Sequence, residues 1–349
     1  MEEMKDDPSF WESLLLSIKT KGAAWLVILL TLALAVVIGV VAGPSQLANT
    51  IIAGGMWALM AVGLALVFGV MNICHFAHGE SFMVGAYVAY FIFTPLQNCL
   101  AENPNTFLST IAPLVGMIVA LPAGFILGVV IEKLVFYPLR IRTRRGWVMN
   151  AFLLTVGISF VMTNGATLTL GPNFRGITRY WDVEPLEFLG VRLTLDRIVA
   201  FVVAVISIVS LWLFLQRTRM GRAIRAVSQD ETGAQMVGIN VNSIHTLTFA
   251  LATALATLAG ASLLFMFPAY PTVGSRPLYI AWYVVMLVGL GNVAGSIAGG
   301  FIVAVLQTFT QQFIGVAWEN VVPVAIMILV LLFVPSGIFG SEVKGVQEQ

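Results

Sequence analysis

The sequence predicts an all-α, polytopic helical integral membrane protein with roughly eight to ten transmembrane helices, broken or short segments included. Three observations predict it. Of its 349 residues, 59% are hydrophobic and only 10% are charged, a balance too apolar for a soluble domain. Uncharged runs such as AAWLVILLTLALAVVIGVVAG (23–43), IAPLVGMIVALPAGFILGVVI (111–131) and IVAFVVAVISIVSLWLFL (198–215) approach or reach the ~20 residues that a helix needs to cross ~30 Å of hydrocarbon. Alternating strand patterning is absent, so the backbone must satisfy its own hydrogen bonds inside helices rather than in a closed barrel.

Taken in order, the first apolar run (23–43) follows an acidic leader, MEEMKDDPSFWESLLLSIKTKG. The leader is too long for a signal-peptide n-region, and the run exceeds the usual ~7–15 apolar residues of such a peptide. It reads as a retained helix, with cleavage near GPSQLA as the alternative. Further apolar segments lie near 49–70, 81–96, 111–132, 150–170, 196–215, 245–267, 278–290, 296–314 and 321–339. The run 278–290 is short for a crossing and reads as a half-helix facing a broken segment at 69–85 as its inverted counterpart.

The connections set orientation. The richest in basic residues are EKLVFYPLRIRTRRG (132–146) and QRTRMGRAIRAVSQDETGAQMVGINVN (216–242), separated by two helices. Excess Lys and Arg in short loops stays in the cytoplasm, which places both loops and the N-terminus, with Lys19 and Lys21, inside. The connections 97–110, 171–194 and 268–277 then face outward. The middle one carries Tyr180 and Trp181 and reads as an external docking surface, a small amphipathic helix, or a solvated loop with interfacial aromatics.

Several function classes are excluded. Eighteen basic residues offset by seventeen acids give a net charge of +1, which implies no nucleic-acid partner. Cys74 and Cys99 form neither a disulfide framework nor a zinc cluster and read as ordinary buried thiols. The chain has no Gly-x-x-x-x-Gly-Lys-Ser/Thr and no Gly-Lys pair at all, so no phosphate-cradling loop and no cofactor of its own is expected. Gly-x-Ser-x-Gly, His-Glu-x-x-His and paired acidic clusters are missing from the spans too, and the chain does not read as an enzyme.

The stretch GVMNICHFAHGESFMVGAY (69–87) puts polar residues between apolar segments. His75 and His78 at i, i+3 would share a helical face with Glu80 close behind, but nearby third and fourth ligands are missing and no metal is expected. A helix end in contact with water is a second reading. The third takes Gly69, Asn72, Gly79 and Gly85 as marks of a helix broken at depth, with Asn72, His75, His78, Gly79 and Glu80 along a translocation path.

Residues 219–238 have amphipathic spacing. Arg222, Arg225, Asp230 and Glu231 supply a charged surface, Ala223, Ile224, Val227, Ala234 and Met236 an apolar side, and Gly238 can end the helix. A solvated loop whose arginines only fix topology is the alternative. Gly291, Gly295 and Gly299 recur every four residues, a spacing that allows close helix–helix approach.

Three stretches together resemble a known family. GLALVFGVMNICHFAHGESFMVGAY (63–87), RTRMGRAIRAVSQDETGAQMVGINVNSIHTLTFALATALATLAGASL (217–263) and GLGNVAGSIAGGFIVAVLQTF (289–309) are similar, in this order, to the permease subunits of branched-chain amino acid ABC importers of the LivH type. Two features depart from the pattern: His75 stands where the family has Asn, and a segment precedes about residue 45. The resemblance implies a permease domain (45–340); the departing segment before it reads as an N-terminal cytoplasmic segment with an extra transmembrane helix (1–44), and the residues after it as a cytoplasmic tail (341–349). It also implies translocation of branched-chain amino acids or related small solutes across the inner membrane, with urea or short amides as alternative cargo and a self-sufficient secondary transporter as the competing class. Residues 219–238 would sit as a short helix in a groove of an ATPase. The partners implied are a homologous second permease, two cytoplasmic ATPase subunits that bind ATP and Mg, an external solute-binding protein and membrane lipid; Gly291, Gly295 and Gly299 would pack against another helix or the second permease.

Overall fold

The computed structural model describes residues 10–102, 106–143, 147–177, 179–181, 184–188 and 190–340; the 341–349 tail lies outside them. In chain order the helices are α1 (Phe10–Val37), extended by a π-helical turn (Ile38–Ala42), α2 (Pro44–Met71), α3 (His78–Glu102) and α4 (Thr106–Ile131). A second π-helical turn (Glu132–Phe136), α5 (Tyr137–Arg142) and α6 (Trp147–Leu170) follow. A hairpin of β1 (Leu186–Phe188) and β2 (Val191–Leu193) leads to α7 (Leu195–Arg217), α8 (Arg219–Gln229) and α9 (Glu231–Met236). The chain ends in α10 (Val241–Ser262), α11 (Ser275–Val288), α12 (Val293–Phe313) and α13 (Val321–Phe333). Among the described residues, nine segments are long and apolar enough to cross a membrane.

Helix starts follow local chemistry. Pro44 begins α2, where a missing N–H costs nothing. The side chains of Thr218, Asn240 and Asn292 each accept a hydrogen bond from a first-turn amide, from Gly221 (2.9 Å), Ser243 (3.2 Å) and Gly295 (2.8 Å), which satisfies donors that a helix leaves free.

The most enclosed spans are α2 and α10, and the least enclosed are α1 and α6. The packing repeats in inverted form. Helix α2 lies along α12 and α11, α10 lies along α4 and α3, and α2 and α10 touch each other. Each half therefore reads helix, irregular turn, second helix, long helix, and the two halves run in opposite directions. On α1 and α6, residues such as Trp25, Leu32, Phe160 and Leu168 are exposed by the protein, as expected of apolar helices that meet lipid.

Polar anchors fix both ends of the bundle. At one end Asp196 accepts from the amides of Tyr180 (2.6 Å) and Trp181 (3.3 Å), while the Trp181 indole donates to Thr110 O (2.9 Å) and the Tyr180 hydroxyl to Ala261 O. Burial, reinforced by the Asp196 charge, pushes the Tyr180 phenol far above its ordinary pKa, so it stays a donor. Both aromatics are buried. This corrects the expectation of interfacial aromatics, because each ring brings a donor that only the helix ends can satisfy; the described part of 171–194 is irregular backbone and a hairpin, not an amphipathic helix. At the opposite, basic end, the fully buried Glu132 accepts from Arg140 (2.9 Å) and Thr246 (2.6 Å), and Arg140 Nε also donates to Asn242 (3.1 Å).

Candidate functional site

Helix α2 stops at Asn72, which takes the left-handed conformation (φ 54°, ψ 28°) and donates its amide to Phe68 O at 2.9 Å. Asparagine is one of the few residues that tolerate this geometry. Residues 73–77 then run back along α2, and α3 begins beside its middle: His78 Nε2 lies 3.2 Å from Met60 O. At 1.5 Å per residue, Met60 is about 16 Å from the end of α2. Helix α3 thus starts inside the bundle.

The second half makes the inverse move. After α10 the chain turns near Ala269, whose backbone pairs with that of Arg175, and the short helix α11 starts next to the first residues of α3. A Cβ on Gly79 would fall 2.5 Å from Gly274 O, and one on Gly274 would meet the Gly79 carbonyl. Only glycine fits at either position. The two helices leave this junction in opposite directions, so two positive dipole ends lie together at depth, although in the first turn of α11 Pro277 has no N–H and the Ser275 and Leu278 amides donate to Thr272 O and Gly274 O. Transporters build polar sites in this way without buried cationic side chains. The expected inverted half-helix is therefore present, as the 14-residue α11.

The polar residues around the junction point three ways. His75 lies in the irregular segment, its ring 4.8 Å from Phe249, 6.5 Å from Phe136 and 5.7 Å from His78, and neither of its nitrogens has a hydrogen-bond partner. His78 turns to Met60. Glu80 turns to α6, where it accepts from Ser159 Oγ (2.6 Å) and Thr163 Oγ1 (3.4 Å). The histidines do not share a helical face, because 72–77 is not helical. Nor is this a water-facing helix end: His75, His78 and Glu80 are 1%, 0% and 8% exposed. Among the described residues no three His, Cys, Asp or Glu side chains are grouped to hold a metal ion.

At the basic end, residues 219–238 form two helices rather than one. Asp230, extended at φ −155°, separates α8 from α9. Gly238 (φ +85°) ends α9 with the paired bonds Gly238 N to Gln235 O and Ile239 N to Ala234 O, both 3.0 Å. Ile224, Val227 and Ala234 are buried as the spacing requires, whereas Met236 and Val237 are 83% and 77% exposed. Met236 departs from its expected apolar side because α9 is a separate helix of six residues with its own direction. Arg222, Arg225, Asp230 and Glu231 are exposed. Beneath α8, a cavity of about 230 Å³ is bounded by Gly69 and Val70 of α2, Trp212 of α7, and Gly291.

The glycine series is corrected in one respect. Gly291 (φ +81°) precedes α12 and packs in its turn against the Gly69 backbone, while Gly295 and Gly299 face Val288 and Val284 of α11. The close approach of α12 to α2 is made by Gly300 against Ala58. Counting every four residues from Gly291 missed it because Gly300 lies one residue beyond Gly299, on another face of α12. Gly274, Ser159 and Thr163 were also missed; the short apolar run after Gly274 was the available signal.

Residues 46–331 match the family model described as "branched-chain amino acid transport system / permease component". The high-affinity branched-chain amino acid transport system permease protein LivH of Escherichia coli (strain K12) is 31% identical, over 84% of this chain and 94% of its own length. The corresponding protein BraD of Pseudomonas aeruginosa is 31% identical, over 84% and 95%. The ribose import permease protein RbsC of Bacillus subtilis is 30% identical over 45% of this chain and 54% of its own. No solved structure gave a significant match.

Proposed function

Because the chain belongs to the family of branched-chain amino acid transport system permease components, we propose that it is the membrane subunit through which an ATP-driven importer moves branched-chain amino acids across a bacterial inner membrane. The observation that carries the reading is the Gly79–Gly274 junction, an opposed pair of half-helices at depth within the family-matched region. Such a junction offers polar groups to a solute while leaving both helices free to tilt about one point.

The chain has no phosphate-binding loop, so hydrolysis belongs to partner ATPase subunits that bind ATP and Mg. Exposed Met220, Met236 and Val237, flanked by Arg222, Asp230 and Glu231, give α8 and α9 a mixed apolar and charged surface suited to a groove in such a partner. The basic end is then cytoplasmic. Because α8 lies over the end of α2 and the Gly291 turn, a push on α8 reaches the helix that carries Met60 and, through it, His78. A second homologous permease and an external solute-binding protein complete the assembly.

The test is reconstitution of the purified complex into vesicles with ATP enclosed on the cytoplasmic side. Labelled leucine should accumulate only with ATP and a competent ATPase. Accumulation driven by an ion gradient alone would overturn the reading.

A further inference from the structure

Helices α3 and α6 do not close on each other. Between them lies an open-sided groove of about 480 Å³, within the ~300–1,000 Å³ of small-molecule pockets. Its wall is almost wholly apolar, with Met83, Phe91, Met162 and Leu170 among the lining side chains. Tyr87 is the polar exception: the residue is 5% exposed and its hydroxyl has no partner. A buried hydroxyl left unpaired is costly, and a ligand that pairs it recovers that cost.

Just beyond each end of the cleft, outside its lining, an ionisable side chain has an unused atom. At the inner end Glu80, one turn before Met83, is held by Ser159 and Thr163 through Oε1, leaving Oε2 buried and unpaired. At the outer end Arg175 lies 5.4 Å from the Phe91 ring, on which Tyr87 stacks, and donates from Nη2 to Leu170 O at 2.7 Å, leaving its buried Nε unpaired. Glu80 and Phe91 are about 16 Å apart along α3. The ammonium and carboxylate of an α-amino acid sit on one carbon, so one solute cannot touch both ends at once.

We propose that this cleft is the solute-selecting part of the path, with two successive stations. Arg175 and the Tyr87 hydroxyl take a carboxylate at the outer station, and Glu80 takes an ammonium at the inner one, while an aliphatic side chain slides along the apolar wall between them. The proposal rests on the transport reading above. It adds a requirement: a passing solute must carry both charges and an uncharged, aliphatic side chain. Organic acids without an ammonium group are held at the outer station and go no further.

The test uses the assembled complex with Cys74 and Cys99 replaced by Ser and Leu170→Cys introduced as a reporter in the wall at the outer station, where the Leu170 carbonyl accepts from Arg175. Leucine at millimolar concentration should slow alkylation of that cysteine at least threefold. The same concentration of 4-methylpentanoate, which lacks the ammonium, should protect but not accumulate in vesicles, and leucinamide, which lacks the carboxylate, should not protect. Tyr87→Phe and Arg175→Gln should each abolish most of the protection, and Arg175→Lys should restore it. Tyr87→Phe removes an oxygen that bonds nothing in the protein, so misfolding cannot explain its effect. Protection that survives both Tyr87→Phe and Arg175→Gln, or no protection by leucine in a complex that imports leucine normally, would overturn the site while leaving the transport reading intact. An unmodified complex that imports no amino acid would instead count against the transport reading.

Discussion

Gly79 and Gly274 meet backbone to backbone in the interior of the bundle, a Cβ on Gly79 falling 2.5 Å from Gly274 O. The contact joins residues far apart in sequence and fixes where both half-helices begin. Gly79→Ala should therefore strain the junction rather than fill space, at about 1–3 kcal/mol for overpacking. Thermal unfolding of the purified protein should show a lower midpoint, and Gly79→Val a larger drop; an unshifted midpoint in both would mean that the half-helices do not touch there.

His78 is held by a single bond to Met60 O. An amide can keep that bond, whereas an aliphatic side chain removes the polar group from the junction altogether. Uptake at matched protein levels should stay above half of wild type in His78→Gln and fall at least tenfold in His78→Leu. Equal loss in the two would show that the imidazole acts by titration or by ligation.

In the Glu132–Arg140 pair the carboxylate is buried and the guanidinium partly so, and the pair bridges the end of α4 to α10 through Thr246 and Asn242. Removing one partner strands the other charge, which costs about 3–5 kcal/mol, whereas an apolar pair of similar volume can be nearly neutral. Arg140→Met alone should thus lower the unfolding midpoint more than Arg140→Met combined with Glu132→Leu. A double variant as unstable as the sum of the singles would contradict the ion-pair account.

On α8 and α9 the side chains assigned to partner docking are exposed. Asp230→Arg and Met236→Glu should leave the unfolding free energy within ~0.5 kcal/mol of wild type, as surface changes do, yet reduce co-purification of the ATPase. Full ATPase recovery with both variants would return 219–238 to a topology loop.

Orientation can be read separately. A cysteine at Gln229 should be protected from membrane-impermeant reagents applied outside intact cells, and one at Asn173 should react; the reverse pattern would invert the positive-inside assignment.

Much of the architecture was legible because bilayer physics is simple. Runs such as 198–215 and 321–339 carry so little charge that only a span explains them, and α7 and α13 lie there. The break at 72–77 was legible from Asn72 and Gly79, whose residue types tolerate backbone that others avoid. The direction of each side chain after the break was not. His75 and His78 looked co-facial because spacing was counted on a continuous helix, and Glu80's partners, Ser159 and Thr163, are about eighty residues away on α6, beyond any local pattern. Arg175 was hidden for the same reason, inside a connection that reads as solvent-facing until its backbone is paired with Ala269.

The most direct test of the central claim is ATP-driven uptake of labelled leucine by vesicles that hold the assembled complex, with Gly274→Ala and Gly274→Val compared with wild type at equal incorporated protein. If the solute passes the junction of α3 and α11 under power from a partner ATPase, uptake should require enclosed ATP, fall severalfold with Ala and vanish with Val. Uptake without ATP, or a Gly274→Val complex as fast as wild type, would contradict it.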